Sequence, residues 1–304
     1  MRTRSLGYWI YLGLFCLPFG GVSLDLAAAE RPPILRIAHI ALFVSDLEKA
    51  QAFYGDLLGF AQPFRLYKAD GSTRVTTFKI NDYQFIEIVV DLPDGQLDRL
   101  SHIALETTDV ELLRTYLKEK GIAVPDKVSK GEDGNLTLPV HDPDGHAVEF
   151  VQYVPDSFPM KIRGSYLGPN RISDRMAHLG VTVSDVAAAD RFYKEVLGFS
   201  EIWRSGVNDQ TTSRIAMKVP DGTDAIEYML VAEKLDRHTL GVLHHLSLEV
   251  PDMQKALDLL RERPKGKDPQ VVQPPAVGRN NRWHMNLSDP DGSRTELMEP
   301  FAIR

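Results

Sequence analysis

The chain has 304 residues, 43% of them hydrophobic, which is enough for one large core or two ordinary ones. Lys and Arg total 35 against 42 Asp and Glu, a formal net charge of −7, so no basic surface is available to hold a polyanion and nucleic acid is excluded as a partner. There is one cysteine, Cys16, which excludes a disulfide framework.

Residues 1–29 read as a processing signal. Arg2 and Arg4 precede an apolar stretch from Leu6 to about Val22, and Ala27, Ala28 and Ala29 supply a small-residue cleavage site before Glu30. Pro18 and several glycines leave that stretch marginal as a membrane span. The expectation is a cleaved signal peptide, a secreted or periplasmic protein, and no stable membrane anchor after cleavage. Cys16 leaves with the signal, so any metal must be held by nitrogen and oxygen.

A first module follows. In HIALFVSDLEKAQAFYGDLLGF, His39 to Phe60, the residues His39, Ala41 and Phe43 fall on one strand face and Ile40, Leu42 and Val44 on the other. Ser45 with Glu48 reads as a capping box; Leu47, Ala50, Tyr54, Leu57 and Leu58 recur at helical spacing, and Gly59 stops the helix. The helix covers one face of the sheet, and the histidine lies on the other. RVTTFKI from Arg74 and QFIEIVV from Gln84 read as later strands.

The plan repeats three times. LSHIALETTDVELLRTYLKEKG opens a second module, with Thr108 and Glu111 as its capping box and Gly121 as its stop; NLTLPV leads through the turn Asp142-Pro-Asp-Gly145 to a strand holding Glu149. Residues 156–174, rich in Pro, Gly and Ser, read as a linker. HLGVTVSDVAAADRFYKEVLGF, His178 to Phe199, copies the first module closely, and a fourth module from His245 ends in a second Asp-Pro-Asp-Gly turn, Asp289–Gly292. Modules one and three are most alike, as are two and four, so the unit copied last is the pair, giving domains of 34–155 and 175–302.

Each module opens on a histidine and carries a glutamate in its closing strand: His39 and Glu87, His102 and Glu149, His178 and Glu227, His245 and Glu296. Singly, such residues are most often hydrogen-bonded or solvated. In register, on a sheet curled round a cavity, two imidazoles and two carboxylates form a donor set suited to a divalent ion: Zn, Mn, Fe, Co or Ni.

The repeated strand–helix segment and the two Asp-Pro-Asp-Gly turns, each followed after three intervening residues by Glu149 or Glu296, resemble the vicinal oxygen chelate superfamily. That superfamily includes glyoxalase I, extradiol ring-cleaving dioxygenases, fosfomycin- and bleomycin-resistance proteins and methylmalonyl-CoA epimerase. The resemblance implies an α+β fold of two tandem domains, each of two βαβββ modules forming a cupped mixed sheet with helices outside and metal in the cup.

In a glyoxalase-like site all four residues of a module pair bind metal, which acts as a Lewis acid on a substrate with neighbouring oxygens while one glutamate, Glu149 or Glu296, moves a proton. The positions used for glutathione are Phe43 or Thr182 and Asp91 or Val231 here, so the resemblance does not extend to glutathione. In an extradiol-like site three ligands hold Fe(II) and map onto His178, His245 and Glu296; His284 lies near an upstream histidine of that signature, but Ser288 stands where its tyrosine would be. A bleomycin-resistance-like relative would use the cup only to bind a ligand, with no metal.

The leading expectation is a metal-dependent lyase or isomerase acting on a small molecule, as a monomer or homodimer. The alternatives are an Fe(II) extradiol dioxygenase and a metal-free binding protein. Whether the sites form within each domain or between modules one and four and two and three stays open. As substrate contacts, Arg74 and Arg214 are expected in matching places of the second strands, with Trp203, Arg282 and His284 in the second cup. His244 is expected to be structural, and His141 and His146 solvated beside their turn.

Overall fold

The computed structural model describes residues 30–303 apart from 94, 209 and 234, together with the backbone but not the side chains of residues 237 and 238. The expected processing signal therefore lies outside the described residues. Among the described residues no helix is long and apolar enough to cross a membrane.

The first module runs through β1 (Ile34–Val44), α1 (Leu47–Gln51), β2 (Arg65–Tyr67), β3 (Thr73–Lys79) and β4 (Phe85–Val90). The second comprises β5 (Leu100–Thr107), α2 (Val110–Glu119), β6 (Ser129–Lys130), β7 (Leu136–His141) and β8 (Ala147–Gln152). Together they form one eight-stranded sheet in the order β2-β3-β4-β1-β5-β8-β7-β6. After a short helix α3 (Phe158–Lys161) come β9 (Met176–Val183), α4 (Val186–Asp190), β10 (Ser200–Ser205), β11 (Arg214–Lys218) and β12 (Ala225–Leu230). A helix α5 (Arg237–Leu243), which the sequence pattern does not announce, then leads to β13 (His245–Glu249), α6 (Met253–Arg261), β14 (Ala276–Val277), β15 (Trp283–Ser288) and β16 (Arg294–Met298). The second sheet has the matching order β10-β11-β12-β9-β13-β16-β15-β14.

In each sheet the opening strands of two modules run antiparallel at the centre, and each pairs in parallel with its own module's closing strand. This settles the module pairing: one with two, three with four. The apolar faces of the strands, Ile40, Leu42, Ile86, Ile88, Ile103 and Leu105 in the first sheet, pack with the helices into one core shared with the second sheet. Helices therefore cover the outside, and the opposite face of each sheet is left for the cup.

Two helix starts lie one residue later than the capping-box pattern places them. Asp46, not Ser45, accepts from the Lys49 amide, and Asp109, not Thr108, from Leu112. The carboxylate is as good an N-cap as the hydroxyl beside it and also favours the positive helix end. Both copies of the first helix then widen into a π turn, Ala52–Leu57 and Arg191–Val196. These turns carry Tyr54 and Tyr193, whose hydroxyls each donate at 3.0 Å to the first aspartate of the Asp-Pro-Asp-Gly turn in the other domain, Asp289 and Asp142. The third residue of each turn also accepts across the interface: Asp291 from the Ser45 amide at 2.8 Å and Asp144 from the Ser184 amide at 3.0 Å.

The stretch between the sheets is docked on the first domain. Lys79, fully buried, donates to Asp82 and to the carbonyls of Ile162 and Ser165 at 2.7–2.8 Å, and the Ile172 amide donates to Leu58. Lys79→Met keeps the aliphatic length but leaves two buried carbonyls and a carboxylate without their cation. It is expected to lower the unfolding free energy by about 3 kcal/mol. Chemical denaturation of the variant checks this, and an unchanged midpoint would contradict it.

Candidate metal centres

Strand register builds the first cup. Across the sheet, Ala41 pairs with Glu87 on one side and His102 on the other, while Ala104 pairs with His39 and Glu149. Paired residues point to the same face, and His39 and Ala41 are two apart, so all six side chains face the cup. Each row holds two donors with an alanine between them. A methyl at the centre leaves the space above it to the donors.

The four expected residues converge. The Nε2 atoms of His39 and His102 are 2.9 Å apart. Glu149 Oε2 lies 3.5 Å from His39 Nε2 and 3.8 Å from His102 Nε2; Glu87 Oε2 lies 3.8 and 4.0 Å from the same atoms. Ligands bonded to one ion at about 2.0–2.2 Å approach one another to about 3 Å, so contraction by less than an ångström turns this set into a coordination shell. Ser101 Oγ lies 3.3 Å from His102 Nδ1, an outer contact of the kind that orients a ligating imidazole. The donors fit a divalent ion.

Without an ion, a proton takes its place. Burial works against a charged His39, but the Glu87 and Glu149 carboxylates outweigh it and raise its pKa to about 9. Burial and the neighbouring His39 charge push His102 down. Glu149, though partly buried, is held below the ordinary carboxylate range by His39. A charged His39 can therefore donate to the lone pair of a neutral His102.

The second cup repeats the register with different centres: Gly180 lies between Glu227 and His245, and Ser247 between His178 and Glu296. His178 and His245 bring their Nε2 atoms to 3.2 Å; Glu227 lies 3.6 Å from His245, and Glu296 3.6 Å from His178. Gly180 is needed here, because a Cβ would occupy the place of the His245 ring.

This set carries a competitor. Arg294, buried two residues before Glu296 on the same strand face, places Nη2 2.7 Å from His245 Nδ1 and Nη1 3.8 Å from Glu296 Oε2. Nδ1 of His245 also lies 2.7 Å from the Leu243 carbonyl. If Nδ1 bonds that carbonyl as a donor, it meets the guanidinium as a like donor. If it accepts from Arg294, the proton moves to Nε2 and removes the metal-binding lone pair. Burial, Arg294 and His178 together hold the His245 pKa well down. Glu296 is fixed by Ser247 Oγ at 3.1 Å and His284 Nδ1 at 3.2 Å; despite burial, His284, His178 and Arg294 keep it well below the usual range. The second set fits a divalent ion less well than the first.

Of the expected substrate contacts, Trp203, Arg214, Arg282 and His284 line the second cup. Arg74 does not match Arg214. Thr77 is opposite Glu87 and Ala216 opposite Glu227, so the counterpart of Arg214 is Val75; Arg74 sits at a register shift against β2 and pairs with Glu132 at 2.5 Å. His146 is partly buried rather than solvated, bonded to Asp142 at 2.8 Å and across the domains to Thr182 at 3.1 Å, while His141 is exposed. His244 is structural: it joins the same interface between Thr182 and Asp98. Arg294 is the residue that sequence reasoning missed. Aligning the two Asp-Pro-Asp-Gly turns exposes it, since the first cup has Ala147 at that cup-facing place.

A family model described as the glyoxalase/bleomycin resistance protein/dioxygenase superfamily matches residues 36–150 and 175–297. The chain belongs to this superfamily. Similar solved structures in the superfamily include the 2,3-dioxygenase LapB from Pseudomonas sp. KL28, at 20% identity and TM-score 0.66 over 89% of this chain and 93% of LapB. Another is homoprotocatechuate 2,3-dioxygenase from Brevibacterium fuscum in complex with 3,4-dihydroxyphenylacetate, at 21% identity and TM-score 0.64 over 90% of this chain and 82% of that one. At such identities the likeness is one of fold. A search of curated proteins finds no match.

The metal-free first cup gives a pH test. The folded pKa of His39 lies above its ordinary 6.5, so its contribution to stability is complete below 6.5 and is lost as pH rises through about 9. Metal-free wild type is expected to lose melting temperature across that window, and His39→Gln to lack that component; equal slopes in both would contradict the assignment.

Proposed function

We propose that the protein is a divalent-metal-dependent lyase or isomerase working in the first cup on a small substrate with adjacent oxygens. The observation that carries this reading is that both Glu87 and Glu149 lie within 4.0 Å of the paired His39 and His102 nitrogens. Four protein donors would hold a divalent ion and still leave room for two substrate oxygens. A bound divalent ion supplies Lewis-acid polarisation of those oxygens.

The chain's own groups do the rest. His39 and His102 would hold the ion from the two central strands, with Glu87 as a third fixed donor. Glu149, from the strand beside His102, is the proton carrier: its carboxylate can accept a proton from a carbon next to a polarised oxygen. Glu296, its counterpart, is pinned by Ser247 and His284, which favours the first cup as the place of reaction. The pattern of Arg2, Arg4, an apolar run and Ala27–Ala29 supports export of the same enzyme.

An Fe(II) extradiol dioxygenase is the second reading, favoured by the fold of the two dioxygenases above. It needs three ligands and three open positions, and on His178, His245 and Glu296 of the second cup it makes no use of Glu87. Metal analysis of wild type and Glu87→Gln separates the two. Zn, Mn, Co or Ni near one per chain, with affinity falling about tenfold or more on substitution, is expected. Iron near one per chain, undisturbed by Glu87→Gln, would move the assignment to the dioxygenase; no metal uptake at all would overturn both.

A further inference from the structure

The second cup encloses a cavity of about 770 Å³, within the range of small-molecule sites. Five arginines and three glutamates line it, an excess of positive charge in a chain that is acidic as a whole. The pairing within the cup is incomplete. Arg175 is bound to Glu249 at 2.9 Å, and Arg279 donates to the Val207 carbonyl. Glu296 is already satisfied by Ser247 and His284. Arg214 and Arg282 form no ion pair among the described residues, and the buried Nε of Arg294 has no hydrogen-bond partner. Asn286, opposite Glu296 on the cup face, also has a buried amide oxygen without one.

Leaving a buried guanidinium donor unmet costs about 1–3 kcal/mol, and two further arginines facing one cavity repel each other. The repulsion is removed by an anion with several acceptor oxygens. A carboxylate suits the planar guanidinium fork, which it can meet with two parallel hydrogen bonds. The remaining wall is apolar: Ile202, Trp203, Val277, Met298 and Phe301. A bare inorganic ion would leave that wall wet, whereas an organic anion covers it.

We propose that the second cup binds a small organic carboxylate, its oxygens held by Arg214, Arg282 and Arg294 and its apolar body lying against Trp203 and Met298. The first cup contains none of this: Val75 and Ala147 stand where the second has Arg214 and Arg294. The duplicated cups thus serve different ligands, one a cation and the other an anion. This inference is independent of the reaction assigned to the first cup.

The test is titration of the full chain, freed of metal with chelator at low ionic strength, with benzoate, phenylacetate, hexanoate and succinate, with the amides of the first three, and with inorganic phosphate. Calorimetry and tryptophan fluorescence are the readouts. At least one carboxylate is expected to bind saturably near one per chain, its amide about tenfold or more weaker. Arg214→Gln and Arg282→Gln, with melting temperatures near wild type, are each expected to weaken that carboxylate by a similar factor, while His39→Gln leaves it unchanged. Absence of binding by every carboxylate, equal binding of amide and acid, wild-type affinity in both arginine variants, or phosphate binding tighter than all the carboxylates would overturn the proposal.

Discussion

Two rows of side chains across the first sheet, Glu87–Ala41–His102 and His39–Ala104–Glu149, are the arrangement on which the rest depends. Two of the pairings are parallel and one antiparallel. Only this mixture brings the first and last strands of two modules side by side with donors alternating about the centre. A slip of one residue in any pairing would turn a donor toward the helices. The buried aliphatic face, with Ile40, Leu42, Ile103 and Leu105, prevents that slip, since moving those residues into the cup would expose them. The core therefore sets the position of the donors, and the small central residues keep the space between them clear.

The two domains are held by the same segments that identify them. Tyr54 and Tyr193 reach reciprocally to Asp289 and Asp142, and at the centre Gln84 and Asp224, equivalent residues of the two domains, bond to each other at 3.1 Å and to the opposite first strands. Burial raises the pKa of Asp289 to about 6, against bonds from Ser293 and Tyr54 that favour its charge. The tyrosine and the Asp-Pro-Asp-Gly turn thus owe their repetition to the interface, whereas the histidines and glutamates owe theirs to the cups. Both constraints act on the same strands and turns, which is why the repeat is so well kept in the central elements.

The strand–helix plan of each module, the face occupied by His39 and the recurrence of one histidine with one glutamate in every module were legible in the sequence, because period-2 alternation and internal repetition both survive without knowledge of contacts. Whether modules paired within domains was not legible, since either pairing uses the same eight residues; the β1–β5 and β9–β13 ladders decide it. Arg74 was put level with Arg214 because the register shift that moves it out of phase is not visible in the sequence. His146 was misjudged because its partner Thr182 lies in the other domain. Arg294 was passed over since a lone arginine after a turn looks like surface, whereas it is buried beside Glu296.

The cups share a plan and differ in their fixed charge: the first has Ala147 where the second has Arg294. The central claim is that the first is a metal centre whose donors would hold a divalent ion over the space kept clear by Ala41 and Ala104. The most direct measurement is the divalent-metal content of Ala104→Leu beside wild type, with circular dichroism to establish that the fold persists. A larger side chain there projects between His39 and Glu149, so the account predicts a folded protein that has lost its ion. A folded Ala104→Leu protein that keeps the wild-type metal content would contradict it.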